Sequence, residues 1–246
     1  MITKKNFKKK ILNRKLLIGA WFQILKSDAV EIVSKNNFDW VCFDFEHGIY
    51  TSNDLPDLLR ATKLNKKFSF VRTLSKDISE IRKIFDLGAD GVIVPKIETA
   101  DEVKNIYQNI FYPPKGSRGI GYCRANMYGK FFSEYIKKSQ NNLFIIMIES
   151  LNGVKNLEDI LKQKLADGIF VGPYDLSASL NDVGNFKSKK FNDCLNRILF
   201  LSKKYNVSCG LHILEKNSKS IYKEKLKGFN FNAYLTDSII ISDYKI

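Results

Sequence analysis

The chain has 246 residues, 44% of them hydrophobic, which is enough for one large domain with a full core. No run of 18 apolar residues occurs, and the opening "MITKKNFKKKILNRK" leads into no long apolar segment. A membrane span and a secretory leader are therefore not expected, and the cytoplasm is the expected compartment. A net charge of +14 raises nucleic acid as a partner, but seven of the 40 basic residues crowd into the first 15 positions and most others are lysines scattered among asparagines. A solvated basic surface, with no nucleic-acid or membrane partner, is the expectation. Cys42, Cys123, Cys194 and Cys209 form no C-x-x-C pair, so a zinc knuckle and a redox dithiol are not indicated and reduced thiols are expected.

Along the chain, short apolar runs alternate with helical patterns. After the basic residues 1–15, read as an amino-terminal extension, "LLIGAW" (16–21) and "WVCFDF" (40–45) read as strands buried on both faces. "SNDLPDLLRATKLN" follows as a helix, with Ser52 as its expected cap and Leu55, Leu58 and Leu59 on one face. "FSFVR" (68–72) is the third strand, and "DISEIRKIFDLG" the next helix, closing at Gly88. "GVIVP" (91–95) is the fourth strand. The interval to the fifth, 96–142, contains "YPPKGSRGIGYCRANMYG", whose prolines and glycines argue for a long ordered loop. "LFIIMIE" (143–149), "GIFVG" (168–172), "VSCGLHI" (207–213) and "FNFNAYL" (229–235) complete eight strands, with helical "NLEDILKQKL" and "FNDCLNRILFLSKKY" among them. Eight strands alternating with helices, without a linker or composition break, read as one (β/α)8 barrel over residues 1–246. A doubly wound open sheet is the alternative, weakened because no G-x-G-x-x-G follows the first strand.

The unusual polar residues fall at the carboxyl ends of these strands: Glu46 and His47, Arg72, Glu149, and Asp175 in "VGPYDLS". In a barrel those ends share one rim, where active sites of this architecture lie. Glu149 and Asp175 on neighbouring strands would repel unless a cation lay between them, and oxygen ligands alone point to a hard ion such as Mg²⁺ or Mn²⁺. The alternative is that each carboxylate caps a helix or pairs with Lys or Arg. His47 reads as a loop acid/base group or a satisfied structural histidine. Arg72 reads as a forked binder of carboxylate or enolate, or as an ion-pair partner of Asp44 or Glu46. His212 is a weaker candidate for the same rim. Asp86, on the helix before the fourth strand, is a candidate to orient His47.

Over residues 16–240 these pieces resemble the HpcH/HpaI aldolases, which include the 2-dehydro-3-deoxyglucarate and 2,4-dihydroxyhept-2-ene-1,7-dioate aldolases. The resemblance rests on "GAW", "FDFEHG", "VR" at 71–72, "DLGADGVIVPKIETADEV", "YPPKGSRGIG", "RAN-YG", "IES-NGVKN-EDI" and "DGIFVGPYDLSASL". It implies a barrel of the phosphoenolpyruvate/pyruvate type and a metal-dependent class II pyruvate aldolase acting on a 2-oxo acid and an aldehyde. It implies Glu149 and Asp175 as ligands of a divalent ion, Mg²⁺ or Mn²⁺ with Co²⁺ also admitted. It places His47 and Arg72 in catalysis, with Asp86 supporting the histidine, and the backbone at Gly172, Pro173 and Tyr174 on the pyruvate carboxylate. Asp44, Glu46 and Arg124 take supporting roles, and a homo-oligomer is expected.

Two departures accompany the resemblance. Met147 stands where the family commonly has Gln, and the chain ends soon after the eighth strand, where relatives often carry a longer terminal helix. Rival readings are a Schiff-base enzyme using Lys96, an acyl-CoA lyase like the citrate lyase β chain, and a catalytically degenerate barrel that serves as a basic binding protein.

Overall fold

The eight apolar runs become eight parallel strands that close on one another in chain order. They are β1 (Leu17–Phe22), β2 (Trp40–Asp44), β3 (Phe68–Arg72), β4 (Gly91–Val94), β5 (Leu143–Ile148), β6 (Gly168–Val171), β7 (Ser208–Ile213) and β8 (Phe231–Thr236). The coordinates, a computed structural model, describe residues 3–215, 217 and 219–243.

Alternation along each strand sends one set of side chains into the barrel and the other against the helices. The inward set includes Trp21, Trp40, Cys42, Phe68, Phe70, Ile145, Met147, Phe170 and Phe231, which pack together in the barrel's centre. Trp40 stacks on Phe231 with ring centres 4.4 Å apart, and Phe70 meets both rings edge-on. The outward set, including Val41, Phe43, Val71, Val92, Ile146 and Ile169, joins the apolar faces of the helices in a second, outer core. The same parity, carried one step past the packed layers, turns Asp44, Arg72 and Glu149 inward at the carboxyl ends of β2, β3 and β5. A register shift of β8 against β1 between Gly19 and Trp21 pairs Trp21 with Thr236.

The outer shell comprises α2 (Ser27–Ser34), α3 (Leu55–Leu64), α4 (Ile78–Leu87), α5 (Ala100–Ile110), α6 (Phe132–Ser139), α7 (Leu151–Lys162), α8 (Pro173–Ser179), α9 (Lys189–Lys204), α10 (Lys219–Lys227) and α11 (Asp237–Ser242), all following α1 (Lys4–Leu12). Local chemistry fixes their ends. Asp77 caps α4 through the amide of Glu80, and Gly88 closes it at φ +104°, a conformation that costs glycine little. Thr99 and Glu102 form a reciprocal capping box on α5.

Two sequence expectations are revised. Helix α3 begins at Leu55, three residues after the expected cap Ser52. Asp54 ties back to the amide and hydroxyl of Thr51, which folds residues 51–54 into a turn, and Pro56 suits the first helical turn that follows. Residues 1–15, expected as a basic extension, instead supply α1, whose Phe7 and Ile11 are fully buried in the barrel's central cluster. The glycine- and proline-rich piece at 112–129 is a loop as expected, relieved only by one 3₁₀ turn at Arg124–Asn126.

Candidate active site

Asp44 organises the rim. Its buried carboxylate accepts from Arg72 twice, Nε to Oδ1 at 2.8 Å and Nη2 to Oδ2 at 2.6 Å. Trp21 Nε1 (3.2 Å) and Gln23 Nε2 (3.0 Å) donate to Oδ2, while the amides of Glu46 (3.1 Å) and His47 (3.2 Å) donate to Oδ1. Burial alone would raise this carboxyl's pKa, but the Arg72 hydrogen bonds and charge, then Gln23 and Trp21, outweigh it and hold the group below its ordinary value. One carboxylate thereby fixes both the guanidinium plane of Arg72 and the turn that carries His47. Of the two readings of Arg72, the ion pair is present: it pairs with Asp44 and also places Nη1 3.2 Å from Glu46 Oε2, and the residue lines the cavity.

Glu149 is 4% exposed at the end of β5. Its Oε1 accepts the amide of Lys96 at 2.7 Å, and Lys96 sits at φ +56° to present that amide. A Cβ on Gly172 would lie 2.4 Å from Glu149 Oε2, so only glycine lets β6 approach the carboxylate this closely. Desolvation, then the charges of Asp175 and Glu46, push the Glu149 pKa up to about 7 despite the Lys96 amide and the Arg72 charge. Asp175, exposed in the first turn of α8, has no hydrogen bond or ion pair to its side chain among the described residues, and neither does the exposed ring of His47.

His47, Arg72 and Asp175 face a cavity of about 690 Å³, lined also by Trp21, Gln23, Met147, Gly172, Pro173, Tyr174, His212 and Thr236 among others, while Asp44 and Glu149 are not among its lining residues. The donor set suits a hard divalent ion. Glu149 and Asp175 offer carboxylate oxygens only, and a cation would offset both the burial that chiefly raises the Glu149 pKa and the smaller push from the Asp175 charge. Among the described residues no group of three or more His, Cys, Asp or Glu is arranged to hold a metal ion.

Three other residues named from the sequence stand differently. Asp86 is in the last turn of α4, eight residues from its start and so about 12 Å along the axis from the end that leaves the rim. Within the chain it pairs with Arg118 at 2.5 Å rather than with His47, and Asp44 is the acid that fixes His47, through its backbone. Arg124 donates to the carbonyls of Leu87 and Pro56, tying the long loop to α3 and α4, outside the cavity lining. Lys96 spreads its amine toward Glu46 at 3.5 Å with the side chain 65% exposed, an ion-paired surface lysine, and contributes to the site through its amide. Sequence reading missed Trp21 and Gln23, although both lie on the inward parity of β1 and its extension.

A model of the HpcH/HpaI aldolase/citrate lyase family matches residues 17–232. The chain is similar to a hydroxypyruvate/pyruvate aldolase from Roseobacter denitrificans, 33% identical over 72% of this chain and 70% of that protein. It is similar to a 5-keto-4-deoxy-D-glucarate aldolase from Salmonella paratyphi C, 31% identical over 83% of this chain and 80% of the relative. Among solved structures, an HpcH/HpaI aldolase/citrate lyase family protein from Burkholderia cenocepacia superposes with a TM-score of 0.90 at 25% identity, covering 96% of this chain and 94% of that one. The chain belongs to the HpcH/HpaI aldolase/citrate lyase family.

Proposed function

We infer that the protein is a class II pyruvate aldolase, a carbon–carbon lyase that cleaves or forms 4-hydroxy-2-oxo acids. The observation that carries this reading is the grouping, on one rim, of a buried carboxylate with a raised pKa, a second carboxylate, a locked guanidinium and an unengaged imidazole. Held by Glu149 and Asp175, a divalent ion such as Mg²⁺ or Mn²⁺ would supply Lewis-acid stabilisation of negative oxygen.

The chain's own residues supply the rest. In cleavage His47 takes the proton of the C4 hydroxyl, the C3–C4 bond breaks, and its electron pair passes into the pyruvate enolate while the aldehyde leaves. Arg72, fixed by Asp44 before substrate arrives, directs positive charge at the oxygen where negative charge develops, so little reorganisation accompanies the step. The backbone at Gly172, Pro173 and Tyr174 orients the carboxylate of the 2-oxo acid. His47 returns its proton to C3 and pyruvate is released; the reverse sequence is aldol addition.

Pyruvate release from 4-hydroxy-2-oxo acids tests this reading. Activity is expected to vanish on exhaustive chelation and to return with Mg²⁺ or Mn²⁺, and Glu149→Ala is expected to lower kcat by about 10³-fold or more, the scale of losing a main electrostatic element. Full turnover after chelation would overturn it.

A further inference from the structure

The cavity is larger than a pyruvate unit requires, and its far wall differs from the charged rim. From Arg72 the lining passes to the face of Trp21, 5.3 Å from the guanidinium, and from Trp21 to the ring of His212, 5.1 Å away. His212 lies on the inward parity of β7, and its Nε2 is 3.1 Å from Thr236 Oγ1, which the β8 register shift brings to the same wall. A second polar pair thus stands across the indole from the groups that handle the 2-oxo acid.

The charge of the lining narrows what this wall can hold. Despite the chain's net charge of +14, the lysines and arginines among the described lining residues are Arg72 and Lys227. Arg72 is committed to Asp44 and Glu46, and Lys227 and Glu224 neutralise each other at 2.7 Å, while Asp175 and Glu215 add negative charge to the same lining. An aldehyde bearing a carboxylate would lie here beside acids, with no uncommitted lysine or arginine among the described lining residues to receive it. A hydroxyl group, which both donates and accepts, matches an imidazole nitrogen and a threonine hydroxyl.

We propose that His212 and Thr236 form the acceptor-aldehyde subsite and select a neutral, hydroxyl-bearing aldehyde over one carrying a carboxylate. The proposal rests on the aldolase reading. In that reaction the aldehyde carbon meets the enolate over the Trp21 face, between Arg72 and His212, and the hydroxyl next to the aldehyde group turns toward His212 and Thr236.

The test is aldol addition of pyruvate, with Mg²⁺ or Mn²⁺ supplied, to glycolaldehyde, propionaldehyde and succinic semialdehyde, compared as kcat/KM. Glycolaldehyde is expected to exceed each of the others by about tenfold or more, since a site built to hydrogen-bond a hydroxyl discriminates against analogues that lack it. His212→Leu and, independently, Thr236→Val are each expected to bring the glycolaldehyde-to-propionaldehyde ratio to within about twofold, on the scale of losing a polar contact to substrate. The ratio does not depend on how much of a variant folds. A wild type that uses succinic semialdehyde as well as glycolaldehyde, or variants that keep the ratio, would overturn the proposal. Deuterium exchange into the pyruvate methyl group by the wild type separates the two readings. Exchange without aldehyde selectivity removes the subsite alone, and no exchange removes the aldolase reading with it.

Discussion

The two mouths of the barrel use charge in opposite ways. At the amino-terminal mouth α1 lies across the opening with Phe7 stacked on Phe68 at 4.1 Å, and two of its lysines pair with acids: Lys4 with Asp90 at 3.1 Å and Lys8 with Asp167 at 2.8 Å. At the carboxyl mouth Asp44, Glu46, Glu149 and Asp175 face Arg72 and Lys96, so acids outnumber bases and one buried carboxyl is driven toward neutrality. The first mouth is closed, and its acids Asp90 and Asp167 are each paired with a lysine, which serves stability. The second is left unbalanced and open, which is unfavourable for a bare fold and suited to receiving a cation.

The sharpest way to separate the mouths is to damage the closed one. Phe7 is 1% exposed and packs against Phe68 and Phe70. Phe7→Ala is expected to lower unfolding free energy by about 3–5 kcal/mol, the usual cost of emptying a buried aromatic position. Denaturant unfolding measures the loss, and kcat/KM of the folded fraction should stay at the wild-type value. A large fall in kcat/KM at unchanged stability would show that the two ends are not independent.

A pH series probes the open mouth. Folded Glu149 keeps its proton up to about pH 7, whereas the unfolded side chain releases it near pH 4.5. Between those values the native state binds more protons than the unfolded state, so stability falls as pH rises, by on the order of 3 kcal/mol from this group. Glu149→Gln should remove that slope, so in chelator the variant gains on the wild type between pH 5 and pH 8. Adding Mg²⁺ or Mn²⁺ should reverse the order above pH 7, because a bound cation favours the ionised carboxyl. Parallel stability curves for the two proteins in chelator would rule out an unbalanced Glu149.

The barrel was readable from the sequence because burial on both faces leaves unbroken apolar runs, and eight of them recur at helix-length intervals. Parity made the rim readable too: Trp40, Cys42 and Asp44 face inward together, as do Phe68, Phe70 and Arg72. What stayed hidden depends on contacts between distant segments. The convergence of Trp21, Gln23 and Arg72 on Asp44 spans β1 to β3, and no local pattern announces it. The amide of Lys96 reaches Glu149 only through a left-handed backbone turn. Asp86 matched a family motif by position, yet helix geometry carries it to the far end of α4, where Arg118 takes it. In α1 the charges masked two buried residues, Phe7 and Ile11, that belong to the core.

Met147 gives the smallest and most pointed test, because it lies where packed core meets charged rim. It is 3% exposed, faces inward two residues before Glu149, belongs to the central apolar cluster and touches the cavity. The family resemblance sets a glutamine there, which would place an amide beside Glu149. The other members of the cluster around Met147 are apolar or aromatic, Ile145 and Phe170 among them, and offer an amide few partners. A buried amide without full hydrogen bonding costs on the order of 1–3 kcal/mol. Met147→Gln is therefore expected to lower stability by about 1–2 kcal/mol in thermal or denaturant unfolding, with kcat changed by less than about tenfold, because Asp44 already fixes Arg72 and the Lys96 amide already engages Glu149. A variant that is both more stable and much faster would mean that the polar rim extends one layer deeper than Glu149, and that methionine blunts a site this barrel is otherwise shaped to complete.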